Sequence, residues 1–221
     1  MELFLKKIET QGITYLEPLH GSWEYRSREW YWGMDYTSGD LYEAEELFRQ
    51  GHPVNQNKLL FVHYPDGKVF QPVIAKEGQY FGRPVYDQGK IVILLVDFPA
   101  GKIQILQFDG DSEQGGVLAN LPLSITEDCY NLLLRESPLM LTRQAMDNTF
   151  EILWPETARF KIGDRESFAF RSGERLYFSA FCEEPEYREE VIVREMNTGK
   201  VLDRIDGSLM LMPDGQRWIL T

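Results

Sequence analysis

Apolar and polar positions along the chain fall repeatedly into short runs separated by glycine-containing bends. YPDGKVF around Gly67, FPAGKIQI around Gly101, FRSGERLYF around Gly173, MNTGKVL around Gly199 and MPDGQRWI around Gly215 each set a glycine between apolar or β-branched segments. A glycine there takes the positive φ that other residues resist, and a Pro or Asn ahead of it favours the bend, so each run predicts a hairpin. SFAF and LYFSAF, on either side of Gly173, alternate at the period of a strand. The longest uninterrupted apolar run, IVILLV from Ile91 to Val96, is far short of a membrane helix and fits a buried strand.

Two segments break this rhythm. SITEDCYNLLLRESP sets Ser124 three residues ahead of Glu127, the spacing of a capping box, and stops before Pro138; it predicts a helix over 126–135. In GDLYEAEELFRQG, Leu41, Ala44, Leu47 and Phe48 share one helical face and Gly51 supplies a left-handed cap. The same segment also reads as the second arm of a hairpin turning at Ser38 and Gly39, because Leu41, Glu43 and Glu45 alternate with Tyr42, Ala44 and Glu46. The helix is the preferred reading.

The expected fold is therefore mainly β, with antiparallel hairpin-rich sheets and one or two short helices. REMNTGKVLDRIDGSLMLMPDGQRWIL carries a TG bend and then a PDG bend, and MDYTSGDLYEAEELF followed by KLLFVHYPDGKVF repeats that order. The punctuation resembles the strand rhythm of β-propeller blades; blades of roughly 40 residues would number about five in this length. An irregular β-sandwich or barrel explains the same hairpins without symmetry. The organisation expected is one β-rich domain over 1–221, or two small β subdomains divided near 109–118, around DGDSEQGG.

Charge narrows the partners. With 35 acidic against 23 basic side chains, the chain carries −12, which disfavours a phosphate backbone or an anionic membrane as ligand. The amino terminus mixes charge with apolar residues and shows no export signal, and only Cys129 and Cys182 are present, so reduced thiols in a cytoplasm are expected. Both cysteines read as structural, Cys129 on the buried face of its helix and Cys182 in the sheet.

No Walker loop, HExxH, GxSxG, GxGxxG or zinc-spaced cysteine pair occurs, and His20, His52 and His63 lie apart, so no cofactor or metal is expected. Asp109, Asp111 and Glu113 alternate as in a calcium loop, but Gln114 stands where glycine is needed and Asn120 where a bidentate glutamate is needed. CEEPEYREE, from Cys182 to Glu190, is an acidic run: an exposed connection, or a docking surface for a basic partner.

GSWEYRSREWYWGMDY is the richest segment. If extended, it puts Trp30, Trp32 and Met34 on one face and Glu29, Tyr31 and Asp35 on the other. Trp23, Trp30 and Trp32 beside Arg28, Glu29 and Asp35 would suit a sugar ring, and Glu29 with Asp35 a glycosidase acid and base; the same tryptophans serve equally as core. The leading expectation is a non-catalytic domain that binds another protein or self-associates, with no nucleic-acid or membrane role. The alternative is a carbohydrate-binding module or glycosidase-like enzyme using residues 23–35.

Overall fold

In the computed structural model the described residues are 5–19, 29–110, 114–212 and 216–221. Those up to Ser124 form one compact unit and those from Ile125 onward another. All paired strands are antiparallel, and the molecule is mostly β.

In the first unit, β1 (Glu17–Pro18), β2 (Trp30–Asp35), β3 (Lys58–His63) and β4 (Val69–Phe70) form one sheet in chain order. β5 (Gln79–Phe81) and β6 (Val85–Asp87) pair with opposite ends of β7 (Lys90–Asp97), which continues to β8 (Lys102–Asp109) and β9 (Gly115–Pro122). A shared core packs Trp30, Trp32, Phe61 and Phe70 of the first sheet with Phe81, Ile91, Ile93 and Leu95 of the second. Ile91 to Val96 are buried on both faces of β7, as the unbroken apolar run requires. The other face of β3 offers Leu60 and Val62, which pack with Ile8, Ile13 and Leu16. That segment crosses β2 at Gly33, where a Cβ would stand 2.6 Å from Ile13 Cγ2 and 2.8 Å from the Tyr15 carbonyl oxygen.

Between β2 and β3 the ambiguous segment is a helix, α1 (Leu41–Arg49). Asp40 caps it, accepting from the Tyr42 and Glu43 amides at 3.0 Å each, and Glu43 accepts from the Asp40 amide in return. Leu41 and Ala44 are buried, and Phe48 stacks on Phe98 with ring centroids 5.7 Å apart.

The second unit begins within a 3-10 turn at Leu123–Ile125. β10 (Leu133–Arg135), β11 (Met140–Gln144), β12 (Thr149–Trp154) and β13 (Ala158–Lys161) form a meander; β14 (Glu166–Ser172), β15 (Arg175–Cys182), β16 (Arg188–Glu195) and β17 (Val201–Asp206) form the next; β18 (Ser208–Leu211) and β19 (Arg217–Leu220) form a hairpin. Phe150, Phe168 and Phe178 meet at centroid distances of 5.1 to 5.6 Å in its core. Charge is buried here too: Arg194 grips Glu166 through bonds of 2.7 and 2.8 Å, and the fully buried Arg143 lies 3.1 Å from Glu151. No sheet among the described residues closes into a barrel.

The helix expected over 126–135 does not form. Glu127 is drawn to Arg159 at 3.1 Å and Arg143 at 3.6 Å instead of capping, and Asp128 accepts from the Tyr130 amide in a local turn. Asn131 then adopts φ 49°, which ends any helical run, and Leu133–Arg135 pairs with β11 as β10. Cys129 is buried in this irregular connection rather than on a helix face.

Four of the five expected hairpins are present, at Gly67, Gly101, Gly173 and Gly199; the bend at Gly215 lies outside the described residues. The turns at Gly67 and Gly199 are built alike. His63 N donates to Lys68 O at 2.9 Å and Glu195 N to Lys200 O at 2.9 Å, while the glycine amides donate back to His63 O and Glu195 O at 2.7 and 2.9 Å. Asp66 in one and Thr198 in the other accept from the following lysine amide. Each joins the third and fourth strands of its sheet. The TSG at Thr37 to Gly39 leads instead into the α1 cap, so the shared order of bends does not mark equivalent positions.

Candidate functional site

β2 alternates as expected: Trp30, Trp32 and Met34 all turn to the core. Trp30 lies 4.8 Å from the His63 ring and against Gly110, where a Cβ would come within 2.7 Å of the indole. Trp32 is buried, with the Arg83 guanidinium 5.9 Å from its ring centroid. Neither ring offers an open stacking face. Glu29 is exposed with its carboxylate 3.7 Å from His63 Nε2, and Asp35 is half-buried at the far end of the strand. Six residues of extended chain separate them by about 20 Å, too far for a glycosidase pair, which works across ~5 to 9.5 Å. Trp23 and Arg28 lie outside the described residues.

A cleft of about 560 Å³ borders this strand, lined by Tyr15, Glu17, Trp32, Asp35, Tyr36 and Lys58 among others. Glu17 is paired with Arg83 at 3.1 Å, and Lys58 donates to the Gln11 carbonyl at 3.3 Å. Burial and the nearby Asp40 charge push the Tyr36 phenol above its ordinary value. The cleft thus offers an aromatic, partly charged wall, with only an edge of Trp32 reaching it.

A second site lies where β15 passes into β16. Leu176, Phe178 and Ala180 face the core, so the two-residue period turns Tyr177, Ser179 and Phe181 outward. Phe181 and Tyr187 are both exposed and stack at 6.4 Å with 30° between their planes. Arg165 lies 5.2 Å over the Phe181 ring and pairs with Glu183 at 2.9 Å. Around them, five glutamates and one arginine fall between Cys182 and Glu190. Cys182 Sγ donates to the Glu184 carbonyl at 3.1 Å.

Glu189 anchors the connection. Hydrogen bonds from the Ser208 and Tyr187 hydroxyls hold its carboxyl below the ordinary glutamate value, and the same contact raises the Tyr187 phenol. Glu190 pairs with Arg204 at 2.7 Å. Two clefts, of about 650 and about 580 Å³, both reach Arg188 and Glu190; Tyr187 and Glu189 line the first, Phe181 and Glu183 the second. Stacked rings rimmed by carboxylates match the chemistry of lysine and arginine side chains, which gain from both ring faces and anionic oxygens.

The acidic run was visible as charge, but the aromatic stack, Arg165 and Ser208 come from three separate stretches of chain that only the fold assembles. Phe181 had a signal in the alternation of β15; Ser208 had none. Among the described residues no group of three metal-ligating side chains occurs, and no helix is long and apolar enough to cross a membrane.

No protein-family model matches the chain, and no curated protein matches it. Among solved structures it is similar to a Bacteroides uniformis protein carrying a provisional 6-phosphogluconolactonase assignment. The identity is 13% and the TM-score 0.38, over 86% of this chain and 60% of that one. The chain thus spans about three fifths of that structure's length, and the likeness is too loose to carry fold or activity across.

Proposed function

We propose that this chain is a non-catalytic binding module that docks a basic segment of another protein on the β15–β16 connection. The observation that carries this reading is the exposed Phe181–Tyr187 stack set among five glutamates. An aromatic pair left in water is unusual away from interfaces, and the surrounding charge selects a cationic occupant. The succession of four-stranded meanders supports a propeller-like scaffold, and two cysteines that form no disulfide support a reducing compartment.

The test is fluorescence anisotropy of a labelled Arg/Lys-rich peptide against its acidic counterpart. The basic peptide binds, binding weakens as salt rises, and Tyr187→Ala or the combined Glu183→Gln and Glu186→Gln substitutions weaken it by tenfold or so. Equal affinity for both peptides, or no response to these substitutions, overturns the reading.

A second reading places a small polyhydroxylated ligand in the cleft beside β2, favoured by the meeting there of Tyr36, Asp35 and the Trp32 edge. Saturable sugar binding that disappears in Tyr36→Ala supports it over the first.

A further inference from the structure

Resting on the basic-partner reading of the β15–β16 connection, we propose that Arg165 is a built-in stand-in for an arginine of the partner, covering the Phe181 ring until a basic segment displaces it. Arg165 comes from the link between β13 and β14, outside the acidic run. Its guanidinium does two things at once: it stands 5.2 Å over the Phe181 ring and pairs with Glu183 at 2.9 Å. A ring face and a carboxylate are the two contacts an incoming cation needs, so the fold itself displays the kind of occupant the site fits. That occupant is a guanidinium. Its planar fork stacks on a ring and meets a carboxylate in one pose, whereas a lysine ammonium is compact and strongly hydrated and combines the two less well.

The contact is loosely held. The Arg165 and Glu183 side chains are 45 and 61% exposed, and an ion pair so wet contributes little. The groups around it are fixed. Asn148 Nδ2 donates to Asp164 at 2.5 Å on one side of Arg165, and Arg194 grips Glu166 at 2.7 and 2.8 Å on the other. Tyr187, stacked on the ring, is tied to Glu189. The backbone therefore stays while the Arg165 side chain swings, and the cleft of about 580 Å³ lined by Arg165, Phe181, Glu183 and Arg188 gives room for one guanidinium to replace another.

An internal occupant is a constant competitor, and it lowers apparent affinity by the fraction of time the ring is covered. A lone arginine exchanges like for like and gains nothing net. A segment with further cations does gain, because Glu184 and Glu186 are exposed beside the ring. The device thus rejects isolated arginines and admits an arginine flanked by other basic residues.

Anisotropy titrations with two labelled peptides of equal length and charge, one built on arginine and one on lysine, test this. The arginine peptide binds the wild type more tightly than the lysine peptide does. Arg165→Ala raises affinity for the arginine peptide about fivefold. Arg165→Lys, which keeps the charge but gives up the planar fork, raises it about twofold. Arg175→Ala removes the same charge at the far end of β15, roughly 20 Å away and beyond the screening length, and leaves affinity unaltered. If both peptides bind and Tyr187→Ala weakens them, but neither Arg165 variant binds more tightly, the stand-in is overturned and the docking site survives. Equal affinity for the two peptides, or a gain in Arg165→Ala that is absent in Arg165→Lys, also overturns it, since charge alone then accounts for binding. If neither peptide binds the wild type or Arg165→Ala, the docking site falls as well.

Discussion

The aromatics of β2 and those of the β15–β16 connection are alike in the sequence, each set flanked by carboxylates and arginines, yet they end in opposite environments. β2 is an interior strand, paired with β1 on one side and β3 on the other, and its apolar face meets a second sheet. Trp30 and Trp32 therefore become filling between layers. Phe181 and Tyr187 sit where the chain leaves one strand and enters the next, and no layer covers them. Residue type decides that a ring is available; whether a second layer covers the face it stands on decides whether the ring is core or contact, since β15 is paired on both sides just as β2 is.

Four measurements break or sharpen this contrast. The largest effect is expected at Trp32. Trp32→Ala should destabilise the chain by about 3 to 5 kcal/mol in denaturant melts, as the loss of a buried indole does; a near-wild-type midpoint would move Trp32 to the contact class. Gly110→Ala comes next, because its methyl must displace the Trp30 indole at 2.7 Å, and a cost of about 1 to 3 kcal/mol should appear in the same assay. Phe181→Ala should stay within about 0.5 kcal/mol of wild type, while weakening the basic peptide in anisotropy.

The smallest effect concerns protons. Glu189 has a folded-state pKa depressed by Ser208 and Tyr187, so its stabilising contribution is complete above its unfolded value near ~4.3 and fades as pH falls through the lower folded value. Glu189→Gln should lower stability slightly at neutrality, where the carboxylate's contribution is complete, and flatten the acid limb of the stability–pH curve below about pH 4, where the wild-type chain loses that contribution.

Much of the fold was legible because glycine bends and two-residue alternation are local properties. Gly67, Gly101, Gly173 and Gly199 needed no tertiary information to mark chain reversals, and the face of Leu41, Ala44, Leu47 and Phe48 followed by Gly51 marked α1, whose capping box at Asp40 and Glu43 went unread. The segment after Ser124 misled for the opposite reason. Its expected capping glutamate, Glu127, is claimed by arginines at positions 143 and 159, on strands that a window of neighbouring residues does not contain.

The site was legible only in part. A run of glutamates announces a charged surface, and β15 alternation turns Phe181 outward, but the approach of Ser208 and Arg165 is a result of strand pairing. Trp218 was hidden in another way. LMLM and RWIL have the composition of interior strands, but among the described residues their sheet has two strands, and Met210, Leu211, Trp218 and Leu220 stand exposed.

The twin bends at Gly67 and Gly199 have a consequence for how the chain tolerates change. Because backbone groups make the frame and a single short acceptor at Asp66 or Thr198 completes it, that acceptor is the interchangeable part, whereas Met196, buried in the core, and His63, packed on Trp30, are tied to their own units. Exchanging only the acceptor, Asp66→Thr or Thr198→Asp, should leave both meanders folded, so that one position becomes free to vary without disturbing the strands that carry it.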